Sequence, residues 1–228
     1  MGETEPAAAR AACEGTQGRS VSVNGRAYAW PAQPTVVVCF DGCDPAYVAA
    51  ARAAGVVPTL ERMCREGFSA LALAAMPTFT NPNNVSIVCG VPPAVHGVSG
   101  NFYLDRETGA DVMMVDATPM RAPTLLAAFS QAGAKVVAVT AKDKLRKALG
   151  HGLSGIAFSA EKADAARADE NGITDLAALV GRGAPDQYSA DLSLYVLPRR
   201  SPSCRRWMIA SRASSPSAPG SASSPTMA

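Results

Sequence analysis

Residues 35–45 read TVVVCFDGCDP. A short unbroken run of β-branched and apolar side chains that stops at Asp-Gly is the pattern of a strand covered on both faces, as in a parallel sheet. Asp44-Pro45 behind it marks a helix start, because an Asp cap accepts an orphan amide and Pro fits the first helical position. The stretch therefore predicts strand, tight turn and helix in succession. Upstream, residues 20–30 alternate polar and apolar around Asn24-Gly25, the pair favoured in two-residue hairpin turns. Downstream, a helix from Pro45 stops near Gly55, and a second, opened by Pro58, ends at Gly67.

The same grammar continues. Residues 68–76 (FSALALAAM) predict the next strand, and 77–84 (PTFTNPNN) a turn-rich loop in which Asn83 or Asn84 caps a helix over 85–89. Residues 91–100 read as loop, and 101–104 with 112–116 as a hairpin. A helix over 122–133, a strand over 136–140, a helix over 142–149 and a strand over 156–159 follow. Helices over 173–180 and 187–197 complete the pattern. Strands alternating with helices give an α/β class with a mainly parallel sheet.

Composition bounds the function. The net charge is +2, too small to suggest nucleic acid, and two histidines, His96 and His151, argue against a His-rich metal site. No apolar stretch approaches the ~20 residues of a membrane span. The N-terminus lacks the features of a signal peptide, and four of the six cysteines sit in apolar strand or helix patterns as small hydrophobes, so a cytoplasmic location is expected. Charge is distributed unevenly: residues 199–228 hold five Arg and no acid, leaving −3 on the rest. This divides the chain into a disordered arm over 1–19, a folded domain over 20–198 and a Ser/Pro/Arg-rich, disordered tail over 199–228.

Functional residues of open α/β sheets gather where strands end at their carboxyl edge. Asp41 follows the first parallel strand and Thr80 lies in the loop after residues 68–76. Asp41 reads either as a turn or cap residue or as a hard metal ligand. Thr80 reads either as an ordinary loop residue or as a hydroxyl before a helix N-terminus, where an anion is favoured. The turn DGCDP is no glycine-rich dinucleotide fingerprint. His96, in PPAVHG, reads as a satisfied loop histidine, and His151 as a residue of a helix end.

The blocks VVVCFDGCDPAY and MPTFTNPNNVSIVCGVPPAVHGVSGNFYLD, with VNGRAYAWP, TAKDKLRKALG and APDQYSADLSLYVL, resemble the bacterial phosphonoacetate hydrolases over residues 20–197. These are members of the alkaline phosphatase superfamily near the nucleotide pyrophosphatase/phosphodiesterase branch. The resemblance implies a parallel sheet sandwiched by helices, and zinc-dependent cleavage of the carbon–phosphorus bond of phosphonoacetate to acetate and phosphate. It implies two zinc ions, with Asp41 a ligand and Thr80 the metal-bound nucleophile. Asn101 then donates to a phosphoryl oxygen, and Lys142 and Lys144 meet the substrate carboxylate. The alternative for both lysines is a solvated helix start. The implied partner is a small phosphonate, with a homodimer allowed and neither nucleic acid nor membrane expected.

The departures from that family lie in the C-terminal part. The family draws its remaining zinc ligands from an Asp-x-x-x-His, an Asp-His pair and a distant His, and none of these occurs here. After LSLYVL the chain turns to PRRSPSCRRW, which reads as an out-of-frame, truncated C-terminus that leaves the superfamily core incomplete. Impaired catalysis and doubtful zinc binding are expected of the isolated chain. A related phosphodiesterase and a non-catalytic remnant are the alternatives.

Overall fold

The computed structural model describes residues 18–186, 188, 189, 191–196 and 207–212. The chain opens with the hairpin of β1 (Ser20–Val23) and β2 (Arg26–Ala29), turned at Asn24 and Gly25, both with positive φ. β3 (Val36–Phe40) follows, then α1 (Pro45–Ala53), where Asp44 Oδ1 accepts from the Ala46 amide at 2.7 Å, as the Asp-Pro pair predicts. α2 (Pro58–Glu66) is joined to α1 by the Arg52–Glu61 ion pair.

Next come α3 (Thr80–Cys89), α4 (Pro93–His96) and the hairpin of β4 (Phe102–Leu104) and β5 (Asp111–Met113). α5 (Leu125–Gln131) is capped by Thr124, whose hydroxyl accepts from Ala127 N at 3.0 Å. β6 (Val136–Thr140), α6 (Asp143–Leu149) and β7 (Ile156–Ser159) form a right-order βαβ unit. Short helices α7 (Ala168–Asn171), α8 (Leu176–Val180) and α9 (Asp191–Tyr195) precede β8 (Trp207–Arg212).

The main sheet is parallel throughout, in the order β3-β8-β6-β7. β6 is its covered strand. Val136 and Ala138 face a core made with Val85, Val88 and Cys89 of α3, Leu126 of α5 and Leu145 and Leu149 of α6. Val137 and Val139 face the opposite core of Leu176, Leu192, Tyr195 and Val196. Helices on both faces bury all five β6 side chains, the sandwich expected of a parallel sheet.

Four expectations need correction. Residues 68–76 form no strand: the run lies across the surface, with Leu71 and Leu73 exposed, because no described strand is positioned to supply its ladder. β3 is a strand but is not covered; Val36, Val38 and Phe40 are exposed. Residues 93–96, read as loop, form α4. The tail is not wholly without structure: β8 fills the gap between β3 and β6, where both neighbours offer unpaired backbone groups. Composition averaged over thirty residues hides a six-residue segment, WMIASR, with strand-favouring Trp and Ile. The rest of the tail, and residues 1–17 of the predicted arm, lie outside the described residues.

Candidate active site at the carboxyl edge of the sheet

α3 begins five residues earlier than the sequence predicts. Neither Asn83 nor Asn84 caps it; the cap position is Phe79, and Thr80 opens the helix. Pro82 is tolerated because it falls in the first turn, where its missing N–H would have had no intrahelical partner. The two asparagines serve the loop and helix from inside. Asn83 Oδ1 accepts from Ala75 N at 2.7 Å, and its Nδ2 donates to Ala75 O at 3.1 Å and Phe79 O at 3.0 Å. Asn84 Nδ2 donates to Thr80 O at 2.9 Å. The loop that delivers Thr80 is thus pinned to its own helix.

Thr80 is brought to Asp41. Its Oγ1 donates to Asp41 Oδ2 at 2.9 Å, and both side chains are half-buried. The α3 start, without any side-chain cap, adds free amides and the positive end of the helix dipole beside that hydroxyl.

The lysines lie on the same edge. Cys39 of β3 and Thr140 of β6 both stand opposite Ser211 of β8, so Asp41 and Lys142, each two residues further on, leave the sheet at one level. Two strand spacings separate those exits by about 10 Å. Lys142 occupies the cap position of α6, its Nζ 5.4 Å from the Tyr188 ring centroid, and Lys144 lies one residue inside the helix. Asn101 enters β4, with its backbone carbonyl held by Met114 N at 2.9 Å. Its Oδ1 is buried without a partner among the described residues, as is Asn81 Nδ2.

His96 is satisfied, as the sequence predicts, but as the last residue of α4 and not in a loop. Val98 N donates to His96 Nδ1 at 3.2 Å, which leaves the proton on Nε2 to reach Ser86 Oγ at 2.9 Å. Ser86 Oγ donates in turn to Pro82 O at 2.7 Å, so the pair clamps α4 to α3 and is no nucleophile–base dyad. His151 is exposed after α6.

Asp41 and Thr80 offer oxygen donors of the kind zinc accepts, but a zinc site takes at least three protein ligands. Among the described residues no group of three or more His, Cys, Asp or Glu side chains is arranged to hold a metal ion. The donors present therefore do not fit a whole zinc site, still less two.

Sequence reasoning missed the Asn83 clamp and a buried charge cluster behind α6. Arg146 joins Asp143 Oδ1 and Glu170 Oε1, each at 2.6 Å, and Ser159 Oγ donates to Asp143 at 3.0 Å. The doubled asparagines of PNN were the available signal for the clamp, since they stand one turn beyond the backbone they bind.

Residues 35–205 match the family described as type I phosphodiesterase / nucleotide pyrophosphatase. The fold is similar to two crystal structures of phosphonoacetate hydrolase from Sinorhizobium meliloti 1021, one in complex with phosphonoacetate and one with phosphonoformate. Each is 47% identical to this chain with a TM-score of 0.79, over 85% of this chain and 49% of that one. The chain thus spans about half the length of the relatives it matches.

Proposed function

The chain belongs to the type I phosphodiesterase / nucleotide pyrophosphatase family of the alkaline phosphatase superfamily, and from that premise we propose that its chemistry is hydrolysis of the carbon–phosphorus bond of phosphonoacetate. The observation that carries this reading is the Thr80–Asp41 hydrogen bond at the carboxyl edge of the sheet, in a chain nearly half identical to a phosphonoacetate hydrolase.

Thr80 is the nucleophile in this reading. Attack of its oxygen on phosphorus, with the hydroxyl proton leaving toward Asp41, breaks the bond to carbon and leaves the electron pair on a methylene beside a carboxylate; that carbon takes a proton from water to give acetate, and a second water releases phosphate from the threonine. Cations near that carboxylate stabilise the developing enolate-like charge. Lys142 and Lys144, on the same sheet edge as Asp41, suit that task, which a phosphodiester substrate would not require. Asn101 serves the phosphoryl oxygens.

A hydroxyl hydrogen-bonded to a carboxylate is not yet an activated nucleophile; activation needs a matched base or a metal. Among the described residues Asp41 and Thr80 fall short of a full zinc ligand set, so impaired turnover is the outcome this reading expects of the chain by itself. No helix among the described residues is long and apolar enough to cross a membrane.

The family match itself favours a second reading, a phosphodiesterase using the same Asp41, Thr80 and Asn101. Phosphate release from phosphonoacetate, measured with added zinc beside cleavage of a nitrophenyl phosphodiester, separates the two. Phosphate release alone supports the hydrolase; diester cleavage alone overturns it in favour of the second reading. Absence of both, with no zinc retained after dialysis, identifies a non-catalytic remnant.

A further inference from the structure

Tyr188 meets the carboxyl edge of the sheet without belonging to either core. Its ring is 86% exposed, whereas Tyr195 of the following helix α9 is buried in the core of Val137, Val139 and Leu192. Burial of apolar area therefore does not explain where the Tyr188 ring sits. The turn that carries it is closed on both sides. Tyr188 N donates to Asp186 Oδ1 at 2.8 Å, Ser189 N to Asp186 O at 3.0 Å, and Asp191 N to Ser189 Oγ at 3.0 Å. The ring is met by Lys142, whose Nζ lies over it 5.4 Å from the centroid, inside the ~6 Å reach of a cation–π contact. Lys142 is half-buried at the cap position of α6, two residues beyond the end of β6.

An aromatic face and a carboxylate hold an ammonium group differently. A carboxylate neutralises it and occupies its N–H donors. A ring attracts the charge through its quadrupole and leaves the donors that point away from it available to an anion. The long lysine stem also loses freedom against the ring, so less remains to be lost when a ligand arrives. We propose that Tyr188 is a positioning residue for Lys142: its ring holds the ammonium charged and in place for the carboxylate of a ligand, and so favours phosphonates that carry a carboxylate over those that do not. The inference rests on the reading of Lys142 as the partner of the substrate carboxylate. It adds a residue from a different segment of the chain and assigns the work to the ring and not to the phenol hydroxyl.

The test titrates the whole 228-residue chain, with added zinc, against phosphonoacetate and methylphosphonate, which differ in the carboxylate. Wild type should bind phosphonoacetate the more tightly. Tyr188→Ala should lower that preference about three- to fivefold, and Tyr188→Phe, which keeps the ring, should retain it. A purely structural role would weaken both ligands alike. Isotope-labelled reductive methylation adds a reading by NMR before any ligand is present. The Lys142 resonance, assigned by its loss in Lys142→Arg, should move in Tyr188→Ala and stay in place in Tyr188→Phe. An unmoved resonance in Tyr188→Ala overturns the proposal. Equal loss of preference in Tyr188→Phe and Tyr188→Ala overturns it too, by giving the role to the hydroxyl. If Lys142→Met abolishes the preference while Tyr188→Ala keeps it, this inference falls and the reading of Lys142 stands. If wild type shows no preference, or Lys142→Met keeps it, the reading of Lys142 falls and this inference with it.

Discussion

The Thr80 hydroxyl donates to Asp41 Oδ2 at 2.9 Å across 39 residues of sequence, tying the end of β3 to the start of α3. A carboxylate that accepts such a bond contributes about 1.5–3 kcal/mol when partly buried. Asp41→Ala should lower unfolding free energy by about that amount, read from denaturant midpoints at unchanged slope. Thr80→Ala should cost less, about 1 kcal/mol, because the remaining carboxylate is half-exposed and recovers water. Equal stability of both variants and wild type would remove the bond as a structural tie.

Activity gives a separate expectation. With added zinc, phosphate release from phosphonoacetate by the chain alone should fall well below the ~1–10³ per second of ordinary enzymes. Whatever turnover exists should vanish in Thr80→Ala. A Thr80→Ala variant as active as wild type would transfer the chemistry to another residue.

Asn83 contributes more than its loop-like sequence suggests. Asn83→Ala removes three hydrogen bonds, to both backbone groups of Ala75 and to Phe79 O, and should cost about 1–3 kcal/mol. Exchange of the Ala75 amide should quicken in step. Asn83→Asp keeps the acceptor for Ala75 N and loses both donated bonds, so the Ala75 amide should stay protected while stability still falls. Parallel loss of protection in both variants would contradict this division of labour.

Arg146 is buried between two acids, and Asp143 is the better enclosed of them. Burial pushes the Asp143 carboxyl up, but the Arg146 hydrogen bond and charge, with the Ser159 hydroxyl and Lys147, outweigh it and hold the group below its ordinary value. Arg146→Ala strands that carboxylate and should cost about 3–5 kcal/mol. Glu170→Gln, at a half-exposed end of the cluster, should cost no more than about 1 kcal/mol. Thermal or denaturant unfolding of both variants gives the ranking; a reversed order would refute the assignment of Asp143 as the dependent partner.

These residues also show what was legible beforehand. The β3–α1 unit, both hairpins and β6–α6–β7 were readable because strand composition, Asp-Pro, Asn-Gly and terminal glycines act locally. Asp41 was readable from its place after a strand. The start of α3 was not, because the asparagines have a strong local preference for caps that side-chain bonds back to Ala75, Phe79 and Thr80 override. The 68–76 run failed for a related reason: strand composition declares a preference, but a strand exists only where another backbone meets it, and that partner is a non-local fact. β8 is the converse case, a segment of unpromising surroundings given a strand's form by two neighbours with free edges.

His96 sets the last expectation, a pH dependence in a mild range. The ring is buried, and burial first, then the nearby Arg121 charge, hold its pKa below the ordinary value despite favourable backbone hydrogen bonds. Neutrality also suits the geometry, since Nδ1 must keep a lone pair for Val98 N. In the unfolded chain the imidazole titrates near its ordinary value of about 6.5. Below that pH the unfolded state binds a proton that the folded state refuses, so stability is full above about 6.5 and declines as pH falls toward the depressed folded value. His96→Gln cannot titrate and should lose this slope in the interval just below about pH 6.5, while costing stability at pH 8 through the broken clamp to Ser86. Unfolding free energies of wild type and variant across that interval provide the measurement. An identical slope in the variant would show that another group governs stability there.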